Sequence, residues 1–309
     1  MLTKNHHYFQ IIAEYRSITR AAEKLYISQP SLSKYLKRLE ENLGVELIDH
    51  NSSPLVLTYA GERYLEHIKQ VQHLERQLKN DFTERATQHF ALVRMGITPW
   101  HSTCILPGIL RSLKEAWPNV RVDLSEQYSD VLFKLLLTGQ IDFCILMQPY
   151  DIMNVTREVI MRQRIIAAIH RDNPILARLE PIETDEVLPY PLISVHELHG
   201  ETLILPKQSH VFAQYISSLL EDTETYMPVE VETESFSTNL GLVASNLGVT
   251  FLLDGGHQLK RYHDDIAFFV VDSPKKCDLC IAYKNKSTLD RHTLSVIEHI
   301  KQYCGVAND

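Results

Sequence analysis

The run Thr19-Arg20-Ala21-Ala22-Glu23-Lys24-Leu25-Tyr26-Ile27-Ser28-Gln29-Pro30-Ser31-Leu32-Ser33-Lys34-Tyr35-Leu36-Lys37-Arg38-Leu39 reads as two short helices joined by a tight turn. Thr19 offers a hydroxyl N-cap to the first helix, expected from Thr19 to Leu25, and Ala21 and Ala22 are small enough for a second helix to cross closely. Ser28 is placed to cap the second helix, and Pro30 falls in its first turn, where no N–H is needed. Leu32, Leu36, Leu39 and Leu43 recur at helical spacing as one apolar stripe. The remaining faces are polar and basic. A rod of this width, with hydrogen-bonding residues at its start, fits the DNA major groove.

The chemistry divides the work. Gln29 can bond a base edge in two places, with adenine its usual match. Ser31 and Ser33 can bond phosphate or base, and Lys34, Lys37 and Arg38 offer charge to phosphates, which fixes position but reads no sequence. The candidate DNA-contacting set is Thr19, Arg20, Ser28, Gln29, Pro30, Ser31, Ser33, Lys34, Tyr35, Lys37, Arg38 and Asn51. Residues 16–38 carry a net +5, although the whole chain of 309 residues carries −8. The other reading of this window, a helical hairpin with a solvated basic face, leaves the agreement of caps, turn and charge unexplained.

The surrounding sequence bounds the rest. A length of 309 residues with 44 % hydrophobic content allows two or three globular domains. The acidic remainder is unsuited to wrapping nucleic acid, which confines DNA to the front of the chain. Neither a membrane span nor a secretory signal is expected, so the expected compartment is the cytoplasm. Five cysteines, an odd number, argue against a disulfide framework. Cys277 and Cys280 have redox-motif spacing but fall in an expected strand, where residues three apart point to opposite faces. His196 and His199 lack a second ligand pair, so no metal and no cofactor is expected.

From its motifs the chain resembles the LysR-type transcriptional regulators. The matching residues are Phe9-x-x-Ile12-Ala13, Ser17 to Leu25, Ser28 to Ser33, Leu39-Glu40-x-x-Leu43-Gly44 and Leu57-Thr58-x-Ala60-Gly61. The match is dense over the first sixty or so residues and looser to the C-terminus. The resemblance implies a winged helix-turn-helix, a dimerising linker helix and an effector domain similar to periplasmic binding proteins. It also implies a homodimer, commonly a homotetramer, on a near-palindromic operator. One departure concerns the wing: where the family usually carries arginines, this chain has His50 and Ser53, with acidic Asp49 beside them. A weaker salt dependence of DNA binding is therefore expected.

The expected architecture is α/β throughout its larger part. Residues 1–58 form the winged helix-turn-helix, with short strands around Asn51-Ser52-Ser53-Pro54. Residues 59–89 form a linker helix and hinge. Thr58 caps that helix, and Tyr64, Leu65, Ile68, Val71, Leu74 and Leu78 make an apolar stripe read as a dimer contact, with packing onto its own domain as the alternative. Residues 90–309 alternate strands and helices, which predicts a Rossmann-like, two-lobed domain on parallel sheets. Lobe one is placed at 91–162 with 267–309, and lobe two at 163–266. One helix is expected over Ser102–Ala116.

Ligands of open α/β sheets sit beyond the carboxyl ends of strands, beside helix N-termini. This points to Thr98, Trp100, His101, Ser102 and Thr103 in lobe one, and to Lys207, Gln208, Ser235 and Ser237 in lobe two. The resemblance adds the neighbourhood of Leu205, Gly248 and Phe251. Helix starts with Lys207 and His101 suggest a small anionic effector. The expected function is thus a ligand-controlled regulator binding double-stranded DNA. The rival is a two-lobed binding protein or enzyme with an N-terminal interaction domain. The sequence has no Gly-rich phosphate loop, nucleophile elbow or metal cluster to support an enzyme.

Overall fold

The computed structural model describes residues 6–83 except 51 and 53, then 91–147, 155–273 except 187, 208 and 209, and 277–305. The chain divides into two compact units, one of residues 1–79 with 138–140 and one of residues 80–137 and 141–309.

The first unit opens with α1 (His6–Tyr15), α2 (Ile18–Lys24) and α3 (Gln29–Leu43). The α2 cap is Ser17, whose side chain accepts from the Arg20 N–H; Thr19, the expected cap, lies inside the helix. The reason is local: Arg16 turns to positive φ and ends α1, which leaves Ser17 extended at the capping position. Leu25 ends α2. Ile27 N–H then reaches Ala22 O at 3.1 Å and Tyr26 N–H reaches Glu23 O at 3.1 Å. That bond pair is a Schellman turn with Tyr26 at the left-handed position, φ 55°. Ser28 caps α3 as expected, and Gly44, φ 70°, terminates it. The wing is β1 (Ile48–Asp49) paired antiparallel with β2 (Val56–Leu57). Phe9, Ile12, Leu32, Leu36, Ile48 and Ile68 form the core of the unit.

The buried Glu40 carboxylate accepts from Leu47 N–H at 2.7 Å and Ile48 N–H at 3.3 Å, and also meets His50 Nε2 at 3.1 Å. It ties the wing to α3. Thr58 starts α4 (Tyr59–Thr83) by accepting from Gly61 N–H at 3.0 Å. A Cβ on Gly61 would lie 1.9 Å from Leu47 O, so only glycine lets the helix rest on the wing backbone.

In the second unit, β3 (Ala91–Ile97) leads to α5 (Pro99–Cys104) and α6 (Leu106–Ala116). The single helix expected over Ser102–Ala116 is two, broken at Ile105. Pro107 is tolerated in the first turn of α6 but would clash inside a longer helix. β4 (Val120–Glu126), α7 (Ser129–Leu137), β5 (Phe143–Met147) and β6 (Thr156–Gln163) follow. After β6 the chain crosses into lobe two through β7 (Ile165–His170). There it builds β8 (Leu192–Ser194), β9 (Leu203–Pro206), α8 (Val211–Asp222), β10 (Val229–Thr233), α9 (Phe236–Ala244), β11 (Val249–Leu253) and β12 (Ile266–Asp272). It returns through β13 (Cys277–Tyr283) and ends in α10 (Arg291–Cys304).

Lobe one is a sheet of order β4-β3-β5-β13-β6, and lobe two a sheet of order β10-β9-β11-β7-β12-β8. Both are mixed rather than parallel. β3 runs parallel to β4 and β5, but the crossing strands β13 and β7 pair antiparallel with their neighbours. A chain that passes between lobes and comes back must supply such strands. β12 pairs with β7 and β8, so the return to lobe one falls after Asp272 rather than at residue 267. In lobe one, Phe143 and Ile145 pack on one side of β5 while Cys144 and Leu146 pack on the other. Burial on both faces explains the uninterrupted apolar run there.

Candidate nucleic-acid interface and interlobe cavity

On α3, Gln29, Pro30, Ser31, Lys34, Lys37 and Arg38 are exposed, as are Thr19 and Arg20 of α2 and the capping Ser28. Local bonds preset this surface. Ser28 and Ser31 hydroxyls lie 2.7 Å apart, Gln29 Nε2 donates to Ser33 Oγ at 2.9 Å, and Arg20 Nη2 donates to Tyr15 O at 2.7 Å. Lys37 and Glu41 approach to 3.9 Å with both side chains well exposed, which ties down little of that charge. Tyr35 behaves differently from the rest of the set. Its ring is half-buried, edge-on to Tyr8 at 5.3 Å, and burial raises its phenol pKa. It belongs to the rim of the core. Asn51 lies outside the described residues.

In the second unit a cavity of about 480 Å³ opens at the carboxyl ends of β3, β4 and β10. Both lobes line it. Lobe one gives Trp100, Tyr128 and Phe133, and lobe two gives His210, Phe212 and Phe236. Trp100 packs on Phe236 at 5.2 Å, Phe236 on Phe212 at 5.2 Å, and Tyr128 on His210 at 4.1 Å. The Tyr128 hydroxyl donates to the Glu234 carbonyl, which adds a hydrogen bond across the cleft.

Polar groups around the cavity are engaged in a definite way. Gln163 Oε1 accepts from His101 Nε2 at 2.8 Å, so His101 Nδ1 accepts from Thr98 Oγ1 at 2.6 Å. Gln163 Nε2 in turn donates to Asp254 O at 3.3 Å, which joins the loop after β3 to the crossing strand and to lobe two. Burial pushes the His101 pKa down to about 4, against a smaller opposing effect of the Gln163 bond, so the ring is neutral near pH 7. Ser102 donates to Glu126. The Glu234 carboxylate receives Lys207 and His210, whose hydrogen bonds hold its pKa low and that of Lys207 high.

Of the residues proposed from sequence, the cavity gathers Thr98, Trp100, His101, Thr103, Ser235 and Ser237. The others go elsewhere. Ser102 is buried on Glu126, and Leu205 and Phe251 are in the core of lobe two. Lys207 is exposed on Glu234. Gly248 precedes β11, where a Cβ would lie 2.7 Å from Thr202 O. Gln208 lies outside the described residues. Sequence reasoning missed Glu126, Tyr128 and Asp130, although the rule for strand ends, applied to β4, points at them.

The linker stripe is divided. Tyr64, Leu65 and Ile68 pack into the first unit, Tyr64 edge-on to Phe9 at 5.2 Å, and reciprocal Gln10–Gln72 amide bonds of 3.0 and 2.9 Å reinforce this. Val71 is half-buried, while Leu74 and Leu78 are 58 % and 54 % exposed. Cys277 and Cys280 are buried in β13, and burial raises their thiol pKa to about 12 and about 11. His196 and His199 bond Thr225 Oγ1 and the Tyr226 N–H, both at 3.2 Å. Among the described residues no three His, Cys, Asp or Glu side chains could hold a metal, and no helix is long and apolar enough to cross a membrane.

A winged helix-turn-helix with a polar, basic helix face, joined to a two-lobed domain with a cavity between its lobes, defines a ligand-responsive DNA-binding regulator. The comparisons agree. Residues 4–62 match the bacterial regulatory helix-turn-helix of the lysR family, and residues 87–305 match the LysR substrate binding domain. The chain belongs to the LysR family of transcriptional regulators, and it is a regulator rather than an enzyme. It is 28 % identical over 270 residues to a probable cat1 operon transcriptional activator of Acinetobacter lwoffii, covering 87 % of this chain and 84 % of that one. It is 25 % identical over 253 residues to BenM of Acinetobacter baylyi, covering 79 % and 78 %. Full-length CbnR complexed with its target DNA has the same fold, with TM-score 0.72 at 19 % identity over 98 % of this chain and 99 % of that one. A full-length OxyR variant of Pseudomonas aeruginosa matches with TM-score 0.71 at 21 % identity, covering 100 % and 96 %.

Proposed function

We propose that this regulator works in the cytoplasm as a homodimer or homotetramer on a near-palindromic operator, and that a small molecule held in the interlobe cavity sets which operator sites it occupies. The observation that carries this is the cavity itself. It is lined from both lobes and closed by Trp100–Phe236 and Tyr128–Glu234 contacts, so a ligand there changes the balance between lobe arrangements. Gln29, Ser31 and Ser33 are the proposed base-reading group. Arg20, Lys34, Lys37 and Arg38 are the proposed phosphate group, with Thr19, Ser28 and Pro30 shaping the approach. Leu74 and Leu78 are the part of the linker stripe left for a second copy.

The sequence suggests an anionic effector. The geometry weighs against it, because Lys207 stands outside the lining on Glu234 and His101 is a neutral, doubly bonded ring.

Selection of duplexes from a randomised pool by the full-length protein tests the reading. Two related half-sites should emerge, and Gln29→Ala should erase the preference at one position in each. A pool that shows no enrichment at low salt overturns it.

A further inference from the structure

Resting on the interlobe cavity as the effector site, we propose that its ligand is an amine with a flat apolar body, positively charged at neutral pH, rather than a carboxylate. The walls favour such a body. Trp100, Phe133, Phe212, Phe236, Met147 and Leu253 surround a space of about 480 Å³, and ring faces attract both apolar groups and cations.

The charges favour the amine. Among the described residues that line the cavity there is no Lys or Arg, whereas Glu126, Asp130 and Glu234 all line it. Glu234 already receives Lys207 and His210, so the carboxylates of Glu126 and Asp130 set the sign. Several of the donors an anion could use are engaged or missing. Both ring nitrogens of His101 are bonded, to Thr98 and Gln163. Helix α5 has only six residues and begins with Pro99, which has no N–H. At the start of α9 the Ser237 N–H is taken by Ser235 Oγ at 3.2 Å. A carboxylate entering here meets the like charges of Glu126 and Asp130, which are exposed and repel it only as far as solvent screening allows. One further group points to a ligand. Trp100 is 7 % exposed, and its indole N–H has no hydrogen-bond partner among the described residues. That donor would serve a neutral or an anionic acceptor alike, so it points to a ligand without bearing on its charge.

Three probes of one shape test the charge on the full-length protein: 2-phenylethylamine, 2-phenylethanol and 3-phenylpropionate, titrated by calorimetry. The amine should bind about tenfold or more tightly than the acid, a difference that one well-placed counter-charge supplies. The Glu126→Gln/Asp130→Asn double variant should bring the two within about threefold, with its melting temperature in the absence of probe showing that the lobes still fold. A carboxylate that binds as tightly as the amine, or an amine preference unchanged in the double variant, overturns the inference. Ser237→Trp, which narrows the cavity, separates this from failure of the site. If 3-phenylpropionate is the better ligand and Ser237→Trp abolishes its binding, the cavity stands and the charge assignment falls. If no probe binds at millimolar concentration, or Ser237→Trp changes nothing, both fall.

Discussion

Tyr26 occupies a backbone position that favours glycine, and it does so with 95 % of its surface exposed. A non-glycine residue in the left-handed region costs about 1 kcal/mol, and the exposed ring recovers none of it by packing. Tyr26→Gly should therefore raise the stability of the first unit by about 0.5–1 kcal/mol in urea denaturation, the gain reduced by the freer unfolded chain. A loss of stability would mean that the ring holds the turn. His101 makes a second prediction at this scale. Its folded pKa, about 4, lies below its unfolded value near 6.5. Between those values the unfolded chain binds a proton that the native chain refuses, so stability is complete above pH 6.5 and falls as the pH drops toward 4. The loss amounts to about 3 kcal/mol for this group. His101→Asn should flatten that part of the pH profile, and an unchanged slope would remove His101 as its source. The sequence made His101 visible as a cavity residue, but not as a neutral one. Its neutrality comes from complete burial, against the smaller opposing effect of the Gln163 bond, and that burial is set by tertiary packing rather than by local spacing.

At the scale of elements, legibility followed the range of the determining interactions. α3 could be read because its cap, proline, apolar stripe and terminal Gly44 are all local. The break at Ile105 was equally local, and Pro107 was its signal. β6 is hard to read from sequence because it is an edge strand with arginines at 157 and 162, so it lacks the apolar alternation of a half-buried strand. The walls of the cavity were legible only in part. Trp100 meets Phe236 and Tyr128 meets His210 through pairings that no spacing rule encodes. The linker helix shows the same division. Its stripe was plain from spacing, but only the structure divides it between its own unit and an uncovered remainder. Leu74 and Leu78 in that remainder should each contribute about 1.5–3 kcal/mol if a second copy buries them fully. Leu74→Glu with Leu78→Glu should shift the protein toward monomer in light scattering while leaving the helix content unchanged in circular dichroism. A variant that keeps its assembly state would place the contact elsewhere.

At the scale of the whole molecule, charge is partitioned. A chain of −8 carries +5 within residues 16–38, so DNA is attracted by a short stretch and repelled by the rest. Repulsion between distant charges is screened beyond about 10 Å at 0.1 M salt, so the phosphate contacts themselves dominate the salt dependence. Each contact contributes about −0.9 to the slope of log K against log salt. Removing Lys34 or Arg38 by alanine should make that slope shallower by about 0.9 for each subunit that binds, on specific and random duplexes alike. Gln29→Ala should leave the slope unchanged and reduce only the ratio between the two duplexes, since a base contact neutralises no phosphate. The wing supplies the opposite test. It has His50 and Ser53 where basic residues would add charge, and His50 is already turned toward Glu40 at 3.1 Å. His50→Arg with Ser53→Arg should steepen the slope by about 0.9 for each phosphate newly reached and tighten binding at low salt. Titrations between low and moderate salt decide it. If the double arginine variant keeps the original slope, the wing stays clear of the backbone, and the basic face of α3 with Arg20 carries the electrostatic attraction alone.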